Sequence, residues 1–491
     1  MTAVTSVSGT PARSTQVARD PGAAPRQGWR GMFGPVPPEH GFVPLTVEGE
    51  IPRELRLVSY FNGPGHFGAW GESYGHWFDG DGSLAAVRLT DGRAEGAYRT
   101  TASRGRTIES VLHRRIFSAY GTKAAWPLTV LHPRHRTKSS ANTAVLCHDN
   151  EVYALMEGAL PVKIQPHSLA TMGSTNLGCD KMLNYSAHPV RLKGGRLVST
   201  GLKISKEAYV ELYETKGGVT DRIAKIEMRF ATMVHSFAAT ESCAVLILLP
   251  LRLDKLRYLL NLGSFSELLR WEPQHGVEIV VVPFDDPENV TRFTIDPFFF
   301  WHIGQTFERG SDVLIDLIRY DDFGSHAWLK AMHTGGTERR PGGTLHRLCV
   351  DRAGRRATME RLSDRVVEFP VVNPRLEGPS STMICGHESS DSMTNMIDTL
   401  VSVDLERGTD ARFETGLTES YPSEVQLVPR GPHGRGVTAS DAWALSMLYD
   451  PARHRSGLAV FDAQRAAAGP RGIAWFDHHV PTRFHGDYLR F

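Results

Sequence analysis

The chain has 491 residues, 41% hydrophobic and 22% charged, an ordinary globular composition for a chain long enough to bury a large core. Its 55 lysines and arginines nearly balance its 54 aspartates and glutamates, so no basic excess indicates a nucleic-acid partner. The 47 glycines and 29 prolines predict frequent turns, which favour many short strands over long helices. The five cysteines form no C-x-x-C pair, which argues against a disulfide framework or a thiolate metal site.

The first segment of the chain is rich in Ala, Ser, Thr, Gly and Pro, and residues 1–28 are predicted to form a disordered tail. This segment lacks the apolar stretch of a secretory signal, and no run of about 18 apolar residues occurs anywhere in the sequence. We therefore expect a cytoplasmic protein without a transmembrane helix. Residues 29–491 are predicted to form a single domain.

From about residue 45 the sequence alternates between short apolar runs and turn residues. The turn-like DNE and KGG separate β-prone runs and predict hairpins. This pattern predicts a large all-β domain, either a sandwich or a propeller, although no fixed repeat of about 40 to 50 residues is visible. The runs behind this prediction are AVLCHDNEVYAL (144–155), RLVSTGLKI (196–204), CAVLILL (243–249), VEIVVVPF (277–284) and DVLIDLIRY (312–320).

Residues 249–271 (LPLRLDKLRYLLNLGSFSELLRW) differ from the rest, because their apolar residues follow helical spacing. Two interpretations stay open. The segment is either an insertion helix packed on the body of the protein or an interfacial segment that touches a membrane. Gly263 argues against one continuous helix. The apolar positions are Leu253, Leu256, Leu260, Leu262, Phe265 and Leu269.

Histidines provide the strongest indication of chemistry. The sequence has no phosphate-binding loop, no H-E-x-x-H and no G-x-S-x-G, whereas paired carboxylates of the glycosidase kind need no local signature and stay open. Four of the 21 histidines lie in apolar or glycine-flanked segments, 47, 67 and 183 residues apart. Such separations place them on different elements that can meet only at a common axis, as in a propeller. They are His188 in NYSAHPV, His235 in ATMVHSFAAT, His302 in FFFWHIGQTFE and His485 in PTRFHGDYL.

Several motifs in the same order resemble the carotenoid cleavage oxygenases, also called the retinal pigment epithelial membrane protein family. The segments around His188, His235, His302 and His485 resemble the family's histidine segments, and the resemblance runs from about residue 45 to 491. The other matching segments are FNGPGHFG (61–68), HWFDGDG (76–82), YALMEGALP (153–161), VVEFPVVNPR (366–375) and YPSEVQLVPR (421–430).

The resemblance implies a seven-bladed β-propeller with a few inserted helices and loops that cap one face over an iron centre. One Fe(II) per chain would be held by His188, His235, His302 and His485 through neutral imidazoles, which are suitable iron ligands. The ring nitrogens that do not bind iron would meet the carboxylates of Glu157, Glu368 and Glu424. Thr143, 14 residues before Glu157, would lie near an open iron position. The alternative for Thr143 is an ordinary strand residue.

Family members mostly insert dioxygen across a conjugated carbon–carbon double bond and release two carbonyl products. For this chain the resemblance implies an Fe(II) dioxygenase that acts on a carotenoid or apocarotenoid with O2. Stilbene cleavers of the family carry a lysine just before the first of these glutamates, whereas this chain has Met156, which favours a hydrocarbon substrate. A polyene is held in membranes, and residues 249–271 lie where family members that extract substrate from a bilayer carry their membrane patch. The resemblance therefore favours a peripheral contact with the inner face of the cell membrane, while packing on the body of the protein stays open.

Three other functions stay open: cleavage of a stilbene or another phenylpropanoid, isomerisation of a retinyl ester, and a metal-stabilised propeller without turnover. The last is motivated by departures from the family pattern in the N-terminal signature. Phe61 replaces an arginine, and Ser83, Leu84 and Ala85 replace Met-x-His. In the third histidine segment, Gln305 and Phe307 stand where Asn and Tyr are commoner, which predicts a changed pocket near His302.

Overall fold

The computed structural model describes residues 27–125, 137–336, 341–374, 379–387, 396–430 and 440–491. Residues 1–26, which make up most of the predicted tail, lie outside the described residues. Within the described ranges, no helix is both long and apolar enough to cross a membrane.

Antiparallel sheets form the seven blades of a propeller, which confirms the predicted all-β fold class. Strands are numbered along the chain, and within each blade they are named in their spatial order. Blade 1 contains β1 (His40–Pro44), β7 (Arg93–Thr100), β6 (Asp81–Thr90), β3 (Leu57–His66) and β34 (Gly486–Arg490). Blade 2 contains β11 (Thr171–Ser174), β10 (Val162–Ile164), β9 (Glu151–Leu155) and β8 (Ala144–His148). Blade 3 contains β12 (Val190–Arg191), β13 (Leu197–Ile204), β14 (Ala208–Lys216) and β15 (Val219–Glu227).

The remaining blades follow in chain order. Blade 4 contains β16 (Ala238–Ala239), β17 (Cys243–Leu248), β20 (Val277–Pro283) and β21 (Thr291–Ile295). Blade 5 contains β22 (Phe299–Arg309), β23 (Asp312–Tyr320), β24 (Thr344–Asp351) and the first part of β25 (Arg356–Val371). Blade 6 contains the second part of β25 with β26 (Thr382–His387), β27 (Thr399–Asp404) and β28 (Asp410–Arg412). Blade 7 contains β29 (Tyr421–Pro422), β30 (Gln426–Pro429), β31 (Ala442–Asp450), β32 (Arg455–Asp462), β33 (Pro470–Trp475) and β2 (Thr46–Gly49).

Strand β17 shows why the sequence has continuous apolar runs rather than alternating ones. All six of its residues are buried, because neighbouring blades cover both faces of its sheet. Val245 and Ile247 belong to a hydrophobic cluster that includes residues of blade 5. Leu246 and Leu248 point to the other face, into a cluster with residues of blade 3. The predicted strands at 144–155, 196–204, 243–249, 277–284 and 312–320 are all present.

The ring is closed by strands from both ends of the described fold. Strand β34 pairs antiparallel with β3, with Phe61 opposite Gly486, and so completes blade 1. Strand β2 pairs with β33, with Thr46 opposite Trp475, and so completes blade 7. Blades 1 and 7 therefore each combine distant parts of the sequence.

Short helices and hairpins lie between the strands. Among the described residues, the α-helices are α1 (Arg104–Leu112), α2 (Lys255–Leu259) and α3 (Ser325–Met332). Short 3-10 helices occur at Gly28–Phe33, Trp77–Asp79, Lys193–Gly195, Ser266–Leu268, Pro273–His275 and Ala466–Ala468. Two small hairpins pair β4 (Gly68–Ala69) with β5 (Glu72–Ser73), and β18 (Leu251–Leu253) with β19 (Leu269–Trp271).

The segment 249–271 is not the helix that its apolar spacing suggested. Leu253 and Leu269 are paired across the β18–β19 ladder, and only the five residues of α2 between them are α-helical. The Asp254 carboxylate accepts from the backbone N–H of Arg257 at 3.1 Å and starts the helix. Asn261 takes a left-handed backbone conformation (φ 56°) just after it, which ends it.

Candidate metal centre

One edge strand of each blade faces the centre of the ring. In every blade, a residue singled out in the sequence lies within this strand or shortly before it. These residues are Thr143 before β8, His188 before β12, His235 before β16, His302 in β22, Glu368 in β25, Glu424 before β30 and His485 before β34. The fold thus brings together side chains that are up to 342 residues apart in the sequence.

The four predicted histidines form one cluster. One nitrogen from each of His188, His235, His302 and His485 lies within 4.8 Å of the others. The Nε2 atoms of His235 and His302 are 3.3 Å apart. The ring of His188 lies 4.4 Å from that of His235 and 4.5 Å from that of His485, centroid to centroid.

Carboxylates contact the outward nitrogens of three of the four rings. Nδ1 of His302 lies 2.5 Å from Oε2 of Glu368, and Nδ1 of His485 lies 2.9 Å from Oε1 of Glu424. Nδ1 of His235 lies 2.7 Å from Oε1 of Glu157, which follows β9 in blade 2. Each carboxylate accepts a hydrogen bond from Nδ1–H, so each of these rings, when neutral, keeps its Nε2 lone pair free for the centre.

Glu368 is the most firmly held of the three glutamates. Its Oε1 accepts from the Tyr320 hydroxyl at 2.7 Å, and its Oε2 accepts from the backbone N–H of Phe369 at 2.8 Å. Burial raises the pKa of Glu368, but His302 and these donors outweigh it and bring the pKa down to about 2. The carboxylate is therefore ionised and available as an acceptor at neutral pH.

The histidines differ in how readily they take up a proton. Burial and the three neighbouring rings hold the pKa of His188 well below its usual value. Burial also lowers the pKa of His302, although Glu368 opposes it. For His485 burial acts in the same direction, but Glu424 more than offsets it and leaves the pKa raised. A protonated imidazole cannot bind a metal, so the low pKa of His188 favours the ligand form.

The residues present fit a metal ion. The Nε2 atom of His188 is buried and makes no hydrogen bond, although buried polar atoms are normally satisfied. Lone pairs of several imidazoles that converge at these distances repel one another unless a cation lies between them. An all-imidazole set is suited to iron, zinc, copper or nickel. The group contains no carboxylate ligand among the described residues.

Thr143 lies beside the cluster but contacts a carboxylate, not a histidine side chain. Its hydroxyl is 3.5 Å from Oε2 of Glu157 and 3.2 Å from Oδ1 of Asn142. Its backbone carbonyl accepts from the N–H of His485 at 3.3 Å. Thr143 therefore links the histidine of blade 1 to the glutamate of blade 2.

A cavity of about 420 Å³ adjoins the cluster. Its wall includes His235 and His302 at one place and Tyr258 and Phe265 of the segment 249–271 at another. The cavity therefore reaches from the histidines toward this segment. Other lining side chains are mainly aromatic or apolar, among them Trp77, Phe78, Tyr120, Met156, Met233, Trp301, Trp328 and Phe369. Such a lining suits an apolar ligand.

The departures from the family pattern lie outside the histidine cluster. Phe61 is fully buried in the core between blades 1 and 7. Ser83 accepts from the guanidinium of Arg483, a buried side chain that also donates to the carbonyl of Pro481. Gln305 bonds to Asp316 and to the backbone of Ser380. Neither Gln305 nor Phe307 lines the cavity, so the expected change in pocket shape does not arise directly from their side chains.

Two aromatic residues that orient the cluster were not singled out in the sequence. The ring of Phe369 stacks on His302 at 5.0 Å, and the ring of Trp301 meets His235 edge-on at 5.1 Å. Both are next to a predicted site residue, since Trp301 precedes His302 and Phe369 follows Glu368. Their position next to a predicted site residue was the available sequence signal. Position alone does not show whether the side chain of such a neighbour points toward the centre.

Comparisons with known proteins agree with this arrangement. The chain is 28% identical over 486 residues to the apocarotenoid-15,15'-oxygenase of Synechocystis sp., covering 94% of this chain and 96% of the relative. It is 22% identical over 478 residues to the isoeugenol monooxygenase of Pseudomonas nitroreducens, covering 94% of this chain and 97% of the relative. The crystal structure of the cobalt-substituted Synechocystis apocarotenoid oxygenase superposes with a TM-score of 0.83 at 26% identity, covering 94% of this chain and 98% of that one.

The sequence also matches, over residues 33–490, the family described as retinal pigment epithelial membrane protein. This match spans all seven blades and all of the predicted site residues. The two relatives from Synechocystis and Pseudomonas are oxygenases, in keeping with the four-histidine cluster. The chain therefore belongs to the retinal pigment epithelial membrane protein family, as its motifs predicted.

Proposed function

We propose that the protein is a non-haem Fe(II) dioxygenase that cleaves a conjugated carbon–carbon double bond of a carotenoid or apocarotenoid with O2, giving carbonyl products. The observation behind the proposal is the cluster of four imidazole nitrogens within 4.8 Å of one another, three of them on rings backed by carboxylates. His188, His235, His302 and His485 would hold one iron per chain. When bound there, the iron supplies the chemistry of dioxygen.

The protein's own residues orient the ligands and keep the site dry. Glu157, Glu368 and Glu424 hold Nδ1–H of three rings and so fix the tautomer that presents Nε2. Their negative charge also compensates a dication surrounded by neutral ligands. We assign no acid or base role to any side chain. Thr143 is proposed to limit the space at one open position, because it lies between Glu157 and His485.

The substrate class follows from the cavity and from one residue beside Glu157. Met156 lines the cavity, where its sulfur accepts from the backbone N–H of Ser140 at 3.1 Å. A thioether offers a polarisable apolar contact and no charge for a phenolate. Together with the apolar lining, this supports a polyene, and the apocarotenoid relative supports the same class.

A phenylpropanoid alkene, such as a stilbene, is the second candidate. The similarity over 94% of this chain to an isoeugenol monooxygenase favours it. It requires a polar contact for the phenol oxygen, which Met156 does not provide. Ser140 or Asn184, which line the same cavity, would have to provide it instead.

We further propose that residues 29–491 act as a single domain at the cytoplasmic face of the cell membrane, held there by the segment 249–271. Leu256, Leu260 and Leu262 are 68%, 54% and 51% exposed, an unusual density of exposed leucine. The cavity wall includes Tyr258 and Phe265 of the same segment. A lipid-dissolved polyene could therefore pass from the bilayer into the cavity without crossing water.

The metal assignment is tested with His235→Ala and a control, His167→Ala, which removes an exposed histidine from the turn after β10. We expect His235→Ala to lose iron, measured by elemental analysis, while circular dichroism and the unfolding transition stay near those of the parent. His167→Ala should keep one iron per chain. Full iron occupancy in His235→Ala would remove His235 from the ligand set.

The reaction is tested by mass spectrometry of products formed under air from a carotene, several apocarotenals, isoeugenol and a hydroxylated stilbene. Paired carbonyl fragments from a polyene are expected, and they locate the bond that is cleaved. Fragments only from the phenolic compounds would select the second candidate. A retinyl ester is included, because rearrangement without cleavage would indicate an isomerase.

A propeller that binds metal without catalysing a reaction is distinguished from an enzyme by a different measurement. A catalytic iron needs an open position, so nitric oxide should form a spectroscopic adduct with the Fe(II) protein. Iron-loaded protein that gives neither adduct nor products would contradict the enzyme proposal.

Membrane contact is tested by Leu256→Glu with Leu260→Glu. We expect the double variant to co-sediment less with anionic liposomes, because two carboxylates replace exposed apolar side chains. Val219→Glu, at an exposed apolar site on blade 3, is the control and should bind like the parent. Unchanged sedimentation of the double variant would assign these leucines to another contact.

A further inference from the structure

The first 3-10 helix, Gly28–Phe33, belongs to no blade, yet it reaches the cavity of the candidate metal centre. Its residues Trp29 and Met32 are buried, at 2% and 5% exposure. Met32 lines the cavity, and it is the one residue from the described chain before Trp77 that does so. The helix therefore contributes to the cavity wall as well as to the core.

Polar contacts anchor this helix to two distant parts of the ring. The N–H of Gly28 donates to the carboxylate of Glu419, just before β29 of blade 7, at 3.1 Å. The guanidinium of Arg30 donates to the carbonyl oxygen of Gly335, in the connection between β23 and β24 of blade 5, at 2.7 Å. The helix thus spans the distance from blade 7 to the connection in blade 5.

Two cavity residues pack directly against the same helix. The backbone at Gly31 passes so close to Tyr449 that a Cβ atom there would lie 2.0 Å from the Tyr449 hydroxyl oxygen. The ring of Phe33 meets that of Trp77 at 5.1 Å, centroid to centroid. Tyr449 and Trp77 both line the cavity. The helix therefore closes the cavity on the side where these two side chains lie.

A series of aromatic rings connects this side of the cavity with the histidine cluster and with the segment 249–271. Every ring in the series lines the cavity, and the centroids of neighbouring rings are 5.2–5.9 Å apart. Phe265 belongs to the segment 249–271, and Phe484 directly precedes His485. The cavity therefore has two arms, one from the segment 249–271 to the histidines and a far arm from the histidines to the helix. In order, the rings are Phe265, Tyr120, Phe78, Phe484 and Trp77.

The far arm offers an apolar surface. Tyr421 and Tyr449 line it, but both of their hydroxyls already have protein partners. The hydroxyl of Tyr421 donates to the Glu419 carboxylate, and that of Tyr449 lies 2.8 Å from Nδ1 of His454. Met32 adds an unbranched thioether, which fills space without a charge. A hydrocarbon chain that extends past the histidines is therefore matched to this arm.

We propose that Met32 is a specificity-determining residue, which ends the far arm and so limits how far a polyene can extend beyond the metal. This inference rests on the proposed function, since it takes a polyene as the substrate class. A conjugated chain stays extended, because its single bonds have partial double-bond character. A substrate with too long a portion beyond the scissile bond would meet Met32 before that bond reached the histidines.

Binding to the iron-free protein tests this inference without relying on turnover. Linear apocarotenals of increasing chain length are titrated in one detergent, and quenching of tryptophan fluorescence reports binding, because Trp77, Trp301 and Trp328 line the cavity. For each aldehyde the Kd of a variant is divided by the Kd of the parent, which cancels partitioning into detergent. Met32→Ala should leave the Kd of short aldehydes unchanged. It should bind those long enough to reach residue 32 more tightly, by about fourfold for each further carbon that becomes buried.

Control variants separate the end of the far arm from other parts of the cavity. Met32→Phe makes the side chain larger, so the same long aldehydes should bind less tightly than in the parent, and it serves as the test if Met32→Ala does not fold. Met172→Ala, at a 60% exposed site on β11, should give a Kd ratio of one at every length. Met233→Ala enlarges the cavity two residues before His235 and should change the Kd of short and long aldehydes alike.

The same titrations distinguish a wrong role for Met32 from a wrong substrate class. If the aldehydes bind but the Kd ratios of Met32→Ala and Met32→Phe do not depend on chain length, the role of Met32 is overturned and the substrate class stands. If no aldehyde of any length binds to the parent, the substrate class and this inference are contradicted together.

Discussion

Phe369 combines a favourable contact with an unfavourable backbone. Its φ of 53° lies in the left-handed region, which costs a residue with a side chain about 1–2 kcal/mol. That conformation aims the ring at His302 and the N–H at the Glu368 carboxylate. Strain of this kind persists only where the surrounding contacts impose it. At Phe369 these contacts orient His302, which is a proposed metal ligand.

Comparing Phe369→Ala with Phe369→Gly isolates this strain, because both variants lack the ring. We expect both to be less stable than the parent, with the glycine variant more stable than the alanine variant by about 1 kcal/mol. Urea unfolding of the iron-free proteins measures the difference. An alanine variant that matched or exceeded the glycine variant would show that the backbone at this position is not strained.

Asp79 carries a carboxyl group that is difficult to ionise. It is fully buried in the 3-10 turn Trp77–Asp79, where it accepts from the N–H of Gly121 at 2.8 Å and from the hydroxyl of Thr122 at 2.5 Å. Burial raises its pKa to about 6, and these donors oppose the rise only in part. Folded Asp79 therefore takes up a proton at a pH where unfolded Asp79 is still ionised.

The difference between the folded and unfolded pKa of Asp79 has an effect of predictable sign on stability. The stabilisation from a raised pKa is complete below the unfolded pKa of about 3.9 and is lost as the pH rises through about 6. From pH 7.5 to 4.5, we expect the parent to gain about 2 kcal/mol of unfolding free energy relative to Asp79→Asn. Urea unfolding at several pH values measures this gap. A gap that stays the same between pH 7.5 and 4.5 would show that Asp79 titrates alike in the folded and unfolded protein.

At the scale of elements, α1 is fastened to the propeller by a buried ionic network. Nζ of Lys138 lies 2.7 Å from the Asp81 carboxylate of β6 and 2.8 Å from the Glu109 carboxylate of α1. The Tyr74 hydroxyl and the guanidinium of Arg106 complete the network. Burial opposes the charge on Lys138, but the two carboxylates outweigh it and raise the pKa of Lys138.

Removing the central cation should therefore be costly. Lys138→Met leaves two buried carboxylates without their shared partner, and we expect a loss of about 3–5 kcal/mol in unfolding free energy, measured by urea unfolding. Lys163→Met is the matched control, because its 2.9 Å pair with Glu151 lies at the surface, and we expect little change. Similar losses in both variants would mean that burial does not strengthen the Lys138 network.

The strands were predictable from sequence, whereas the segment between β18 and β19 was not. Runs such as residues 243–249 are apolar at every position, which suits a strand covered on both faces. In the segment 249–271, spacing alone grouped Leu253 with Leu256 and Leu260. The structure buries Leu253 and exposes the other two, because the chain turns at Asp254 from a strand into a short helix.

At the scale of the whole molecule, the motifs predicted which residues belong to the centre but not how they contact one another. The pairings of Glu157 with His235 and of Glu424 with His485 join different blades, so they depend on the order of blades around the ring. The sharing of β25 between two blades was equally hard to predict, because its 16 residues, which include Glu368 and Phe369 near the C-terminal end, look like one ordinary strand. Local patterns do not encode contacts that a closed ring creates.

Closure of the ring also sets the stage at which the proposed four-histidine metal site becomes complete. During synthesis, segments that contain His188, His235 and His302 emerge and fold first, since chains generally fold from the N-terminal side. The fourth nitrogen arrives only when the strand after His485 pairs with β3, a strand made more than 400 residues earlier. A metal ion held by all four nitrogens would therefore not template this fold as it does in a zinc finger. The proposed loading would be a late step of biogenesis, which acts on a finished ring.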